Sequence, residues 1–89
     1  MIDVQLTDDS NNVVSELSYI RDKEGRVVVM ELNTPIEYRG KGYARQLLSD
    51  VQSKEEQSIR VVSTDHAVGY YQRLGYHEVG PYVFEGCAS

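Results

Sequence analysis

Four things are scarce in this 89-residue sequence: cysteine, long apolar runs, low-complexity segments and clustered positive charge. A single cysteine, Cys87, excludes an internal disulfide framework and suits a reducing cytoplasm, where the chain is expected to work. No catalytic weight falls on it. No stretch approaches the ~20 apolar residues that a membrane span needs, so no membrane partner is expected. Met1-Ile2-Asp3-Val4 lacks a basic stretch followed by an apolar core, so no secretory signal is expected. Nine Lys and Arg stand against fourteen Asp and Glu, a formal net charge of -5. Attraction to the phosphate backbone dominates nucleic-acid affinity, so such a chain is expected to bind neither DNA nor RNA. No metal is expected either.

What is present suits one small globular domain over residues 1–89: 40% of residues are hydrophobic and 26% charged. A domain of this size buries a modest share of its surface, so a bound cofactor or a homodimer would stabilise it. Residues 2–7 alternate apolar and polar side chains, and Asp8-Asp9-Ser10-Asn11-Asn12 is a turn cluster. Residues 13–20 read as a second strand and 26–34 as a third, whose Val27-Val28-Val29-Met30 run marks a central strand. Their short connections predict an antiparallel meander. Ala44, Leu47, Leu48 and Val51 then repeat at helical spacing. Residues 59–64 are β-branched and short, as a strand is. Asp65 is placed to cap a second helix carrying Ala67, Tyr70, Tyr71 and Leu74, with Gly75 as its stop. A last strand is expected over 77–84, interrupted by Gly80-Pro81. The order β-β-β-α-β-α-β predicts an α/β (α+β) fold, one mixed sheet flanked by helices.

The richest stretch is Arg39-Gly40-Lys41-Gly42-Tyr43-Ala44-Arg45, between the third strand and the first helix. Unpaired amides and the helix dipole favour an anion at a helix N-terminus. Glycines let the backbone approach it closely, and Arg39, Lys41 and Arg45 add charge-assisted contacts. A pyrophosphate suits this arrangement. The P-loop pattern fails at Pro35 and Gly42, and the dinucleotide fingerprint fails at Arg45. The same glycines also suit a plain tight turn.

Arg39-Gly40-Lys41-Gly42-Tyr43-Ala44 resembles the pyrophosphate signature (Q/R)-x-x-G-x-(G/A) of the GNAT superfamily of N-acetyltransferases. Ala67-Val68-Gly69-Tyr70-Tyr71-Gln72-Arg73-Leu74-Gly75-Tyr76 is similar to that family's A-x-x-x-Y-x-x-x-G-(F/Y) segment, at the family's usual distance. The resemblance covers about residues 26–84. It implies that the third and fourth strands run parallel, then splay to admit the pantetheine arm of CoA. Backbone groups of Leu32 and Thr34 would hold that arm, and the amides from Lys41 through Gly42, Tyr43 and Ala44 to Arg45 the pyrophosphate. Three departures stand out. The family normally opens with an extra strand and two helices over the acceptor site, for which the chain has no evident room. Thr64 occupies a position where Asn is common, and the third strand ends Leu32-Asn33-Thr34 rather than Leu-x-Val.

The resemblance implies acetyl transfer from acetyl-CoA to a primary amine: a protein lysine, an N-terminus or a small amine. A lysine-like amine with a pKa of ~10.4 must first lose a proton. A backbone amide at Leu32 or Asn33 would polarise the thioester carbonyl. Tyr71 matches the family tyrosine that serves the CoA sulfur, while its helical spacing also fits a core aromatic, and Tyr70 is its rival. Glu31, which interrupts an apolar strand, is a candidate base if desolvated; it equally reads as a solvent-facing glutamate. His66 and ordered water are the other candidates. The side chains of Tyr38 and Tyr43 read as packing residues. The alternative function is a non-catalytic module that binds acyl-CoA or a protein partner.

Overall fold

The computed structural model describes residues 1–86; Cys87 lies outside the described residues. The elements, in chain order, are strands β1 (Ile2–Thr7), β2 (Val13–Arg21) and β3 (Val27–Asn33), helix α1 (Tyr43–Glu55), strand β4 (Ile59–Val62), helix α2 (Val68–Arg73), and strands β5 (His77–Gly80) and β6 (Val83–Gly86). Short 3-10 turns at Ile36–Tyr38 and Asp65–Ala67 precede the two helices. The strands form one sheet in the order β1-β2-β3-β4-β6-β5. Among the described residues β3 and β4 alone pair in parallel; the other neighbours are antiparallel.

The expected meander of the first three strands is present. Asp8 holds the first turn, accepting the backbone N–H of Ser10 and Asn12 at 2.9 and 3.0 Å. Burial alternates along β1, and its inward residues Ile2, Val4 and Leu6 pack against the core. The register lines up Ile2, Tyr19, Val29, Val61 and Phe84 across the sheet, on one face. Leu47, Leu48 and Val51 of α1 and Tyr71 of α2 join the same buried cluster, so both helices cover that face. The opposite face carries Asp3, Glu16 and Glu31, all exposed. Among the described residues no helix is long and apolar enough to cross a membrane.

Two expectations are corrected. The stretch 77–84 is not one interrupted strand but part of a hairpin, in which β6 turns back and inserts between β4 and β5. Pro81 opens the turn and Tyr82 adopts φ 59°, a backbone region that non-glycine residues seldom occupy and that no sequence signal announced. The Ser63 N–H donates to the Tyr82 carbonyl at 2.7 Å, fixing the turn against the end of β4. Asp65 makes no side-chain cap for the second helix; it begins the 3-10 turn that leads into α2.

Parallel pairing of β3 and β4 is brief. Val27, Val28 and Val29 pair with Ile59, Arg60 and Val61, and the ladder stops there. At that level β2 pairs Ser18 with Glu31 and Tyr19 with Val29, leaving Met30 as an extra residue in β3. A bulge bends its strand and increases the local twist. The two strands therefore separate just beyond Val29 and Val61, as expected. Their other end is tied: the Gln57 side chain accepts from the Val27 N–H and donates to the Gly25 carbonyl, each at 3.1 Å.

Candidate active site

The separation of β3 from β4 opens a cleft of about 430 Å³, walled by the end of β3, the turn before α1, the first residues of α1, and α2. That size lies within the roughly 300–1,000 Å³ of ligand sites. Leu32, Asn33 and Thr34 form one wall, and Arg39, Gly40, Gly42, Tyr43 and Ala44 form the next. Tyr71 closes it from the α2 side. Nine of the twelve expected site residues thus meet in one place.

The glycine turn has the geometry its sequence predicts. Gly40 and Gly42 have φ +79° and +81°, and an added Cβ would meet nothing within 4 Å at either. Glycine is needed there for its backbone, and the space above stays open to a ligand. Gly42 is the N-cap of α1 and offers no side chain to the helix. The first intrahelical bond runs from the Gln46 N–H to the Gly42 carbonyl, so the amides of Tyr43, Ala44 and Arg45 precede that ladder.

Tyr71 is a core aromatic that also lines the cleft. It is 4% exposed, and its ring stacks on Phe84 at 6.0 Å and meets Tyr70 edge-on at 5.4 Å. Burial, with a smaller push from Tyr70, raises its phenol to about 12. The hydroxyl makes no hydrogen bond among the described residues. Tyr70, the rival, also lines the cleft. Burial pushes its phenol up, while the charges of Arg45 and Arg73 pull it down.

Three expected residues stand apart from the lining. Lys41 lies between the two lining glycines without lining the cleft, and Arg45 is placed beside Tyr70. Glu31 is exposed rather than desolvated, and sits on the sheet face away from the helices. There it lines a depression of about 250 Å³ with Asp3 and Glu16. That depression shares Asn33 with the cleft.

The sequence reading missed Arg73. It lines the cleft, and its guanidinium folds back over Gly69, so that a Cβ on that glycine would lie 3.4 Å from it. The spacing Gly69-x-x-x-Arg73 on one helical face was the available signal. The cleft arginines share a further property. Among the described residues Arg21, Arg26 and Arg60 are ion-paired, whereas Arg39, Arg45 and Arg73 have no carboxylate partner. On a chain of net charge -5, two of these, Arg39 and Arg73, line the cleft, and Arg45 stands beside Tyr70. Among the described residues, no group of three or more His, Cys, Asp or Glu side chains is placed to hold a metal ion.

A family model for the acetyltransferase (GNAT) domain matches residues 4–88. The chain belongs to the GNAT acetyltransferase family. Solved structures agree in fold. Tetrahymena GCN5 superposes with a TM-score of 0.77 at 13% identity, over 98% of this chain and 68% of that one. An acetyltransferase from Bacillus cereus gives 0.77 at 18% identity, over 94% and 70%. The GNAT family N-acetyltransferase YhbS of Escherichia coli, solved in complex with CoA, gives 0.70 at 20%, over 98% of this chain and 58% of its own. At these identities the likeness is one of fold. This GNAT chain spans less than two thirds of the length of the E. coli protein. A sequence comparison with curated proteins finds no match. Membership of the family places the chain among acyltransferases.

Proposed function

We propose that the chain transfers an acetyl group from acetyl-CoA to a primary amine by direct attack of the amine on the thioester. The observation that carries this reading is the unpaired edge of β3. Its ladder to β4 ends at Val29, and the open stretch through Thr34 forms the cleft wall between Tyr71 and the glycine turn. An extended ligand bearing amides completes such an edge as an added strand does, and the pantetheine arm of CoA is a ligand of that kind. The other end of CoA fits as well. Gly40 and Gly42 leave open space over the start of α1, and Arg39, Arg45 and Arg73 have no carboxylate partner among the described residues. A diphosphate there gains the helix dipole and charge-assisted hydrogen bonds.

Acetyl-CoA supplies the acyl group as an activated thioester. Leu32, Asn33 and Thr34 align the ligand through their backbone, and an N–H at Leu32 or Asn33 donates to the carbonyl oxygen as charge gathers there. Tyr71, held near 12 by burial, keeps its proton at neutral pH and gives it to the sulfur as the C–S bond breaks and the C–N bond forms. The acceptor nitrogen sheds its proton through ordered water to solvent; Glu31, exposed and outside the cleft lining, is the expected base that this arrangement favours least. The acidic body, of net charge -5, favours a cationic acceptor such as an exposed lysine or a small amine.

With acetyl-CoA and a panel of primary amines, the protein should release CoA thiol in step with acetylated product. Tyr71→Phe should lower kcat by roughly 10²- to 10⁴-fold, the usual worth of a positioned acid, with acetyl-CoA affinity little changed. Tight acetyl-CoA binding without thiol release toward any amine would leave the non-catalytic module in its place.

A further inference from the structure

We propose that Arg39 is a latch between the two ends of the cleft, admitting a thioester that carries a diphosphate and holding off one that lacks it; the inference rests on the CoA reading above. Arg39 Nε–H donates to the Thr34 carbonyl oxygen at 2.9 Å, and both residues line the cleft. Thr34 is held on its other side, where its hydroxyl lies 2.9 Å from Ser15 Oγ. The buried Ser15 anchors the position, so Thr34 stays while the exposed arginine is free to leave. In this arrangement the guanidinium lies over the end of the open β3 edge, where a ligand amide would pair.

Arg39 also stands immediately before Gly40 and Gly42, above which the space is open. Its remaining N–H donors face no carboxylate among the described residues. A hydrogen bond from a guanidinium to a neutral carbonyl is weaker than a charge-assisted pair with a phosphate. A diphosphate seated at the start of α1 therefore draws Arg39 off Thr34 and uncovers the strand edge. Among the described residues neither Lys41 nor Arg45 hydrogen-bonds Thr34, so they add affinity for phosphate without this coupling. Coupling of two sites through one side chain is reciprocal: what phosphate does for the pantetheine arm, the arm does for phosphate.

The test divides the ligand in two. S-acetyl-pantetheine, which has no phosphate, and inorganic pyrophosphate are titrated singly and together into the wild-type protein, with backbone amide shifts reading millimolar affinities. CoA is titrated in parallel. Pyrophosphate should tighten acetyl-pantetheine by about fivefold or more, the lower end of ordinary coupling between sites. Arg39→Ala should bind acetyl-pantetheine more tightly than the wild type without pyrophosphate, lose the coupling, and bind CoA more weakly. Independent binding of the two pieces in the wild type, or weaker acetyl-pantetheine binding by Arg39→Ala, overturns the latch and leaves the CoA reading standing. Failure of the wild type to bind CoA removes that reading and the latch with it.

Discussion

Gly42 shows how one residue serves both the fold and the site. Its φ of +81° is a conformation that an L side chain adopts at a cost of about 1–2 kcal/mol, and no neighbour would clash with an added Cβ. Gly42→Ala should therefore destabilise by about that much through the backbone alone, and it should also lose acetyl-CoA affinity because the methyl stands where the ligand approaches. Gly25 supplies the control: its φ is +78° with equally open surroundings, yet it lies in the β2–β3 turn. Gly25→Ala should match the loss of stability by thermal melting and leave binding unchanged. Equal loss of binding in both variants would show that Gly42 acts only through the fold. Tyr71 makes the complementary point, since its burial both fills the core and keeps the phenol protonated. Its helical spacing predicts a core aromatic, and the ring is buried in the core while also lining the cleft.

At the scale of elements, the cleft exists because β3 and β4 are tied at one end and parted at the other. The tie depends on Gln57, whose side chain satisfies the N–H of fully buried Val27. Gln57→Ala should cost about 1–3 kcal/mol, the penalty for a buried donor left unsatisfied, read as a lower denaturation midpoint. A second clip joins β2 to the end of α1. Buried Tyr19 donates its hydroxyl to Glu55 at 2.6 Å, and Arg21 makes a two-point contact with the same carboxylate at 2.6 and 2.9 Å. The Arg21 hydrogen bonds, then that from Tyr19, hold Glu55 below the usual carboxylate range. A lowered folded-state pKa gives stability that is present above the ordinary pKa and lost as pH falls through the lowered one. Acid unfolding of the wild type should therefore steepen below about pH 4, and Glu55→Gln should flatten that limb. An unchanged limb would show the clip to be energetically idle.

The elements that were legible in the sequence are those whose signal is local. Alternation marked β1, helical spacing marked α1, and the glycine turn marked one wall of the cleft. The β5–β6 hairpin was not legible, because it depends on the left-handed backbone of Tyr82 and on a bond to that residue from Ser63, far back along the chain. Arg73 was overlooked because its role depends on folding back over Gly69, which spacing alone does not weigh. Glu31 stood out as a charge within an apolar strand, but the bulge at Met30 shows why adjacent positions there both face solvent.

For the whole molecule, one sheet face is packed by two helices while the other is acidic and open at Asp3, Glu16 and Glu31. A chain of 89 residues covered on one face has little stability to spare, so a ligand that binds only the folded state should show strongly. At 100 times its Kd such a ligand adds about 2.7 kcal/mol, and each kcal/mol moves the Tm of a domain this size by about 4–8 °C. Acetyl-CoA at that excess should raise the melting temperature by about 10 °C or more; a shift within a degree or two would contradict a preformed site. The most direct measurement is calorimetric titration of acetyl-CoA into the wild type and into Arg73→Ala, whose cleft loses one unpaired cation. One-site, micromolar binding that weakens in the variant is the result expected of a CoA cleft lined by arginines without carboxylate partners. Absence of binding at millimolar acetyl-CoA would contradict it, leaving a GNAT fold whose cleft takes some other ligand.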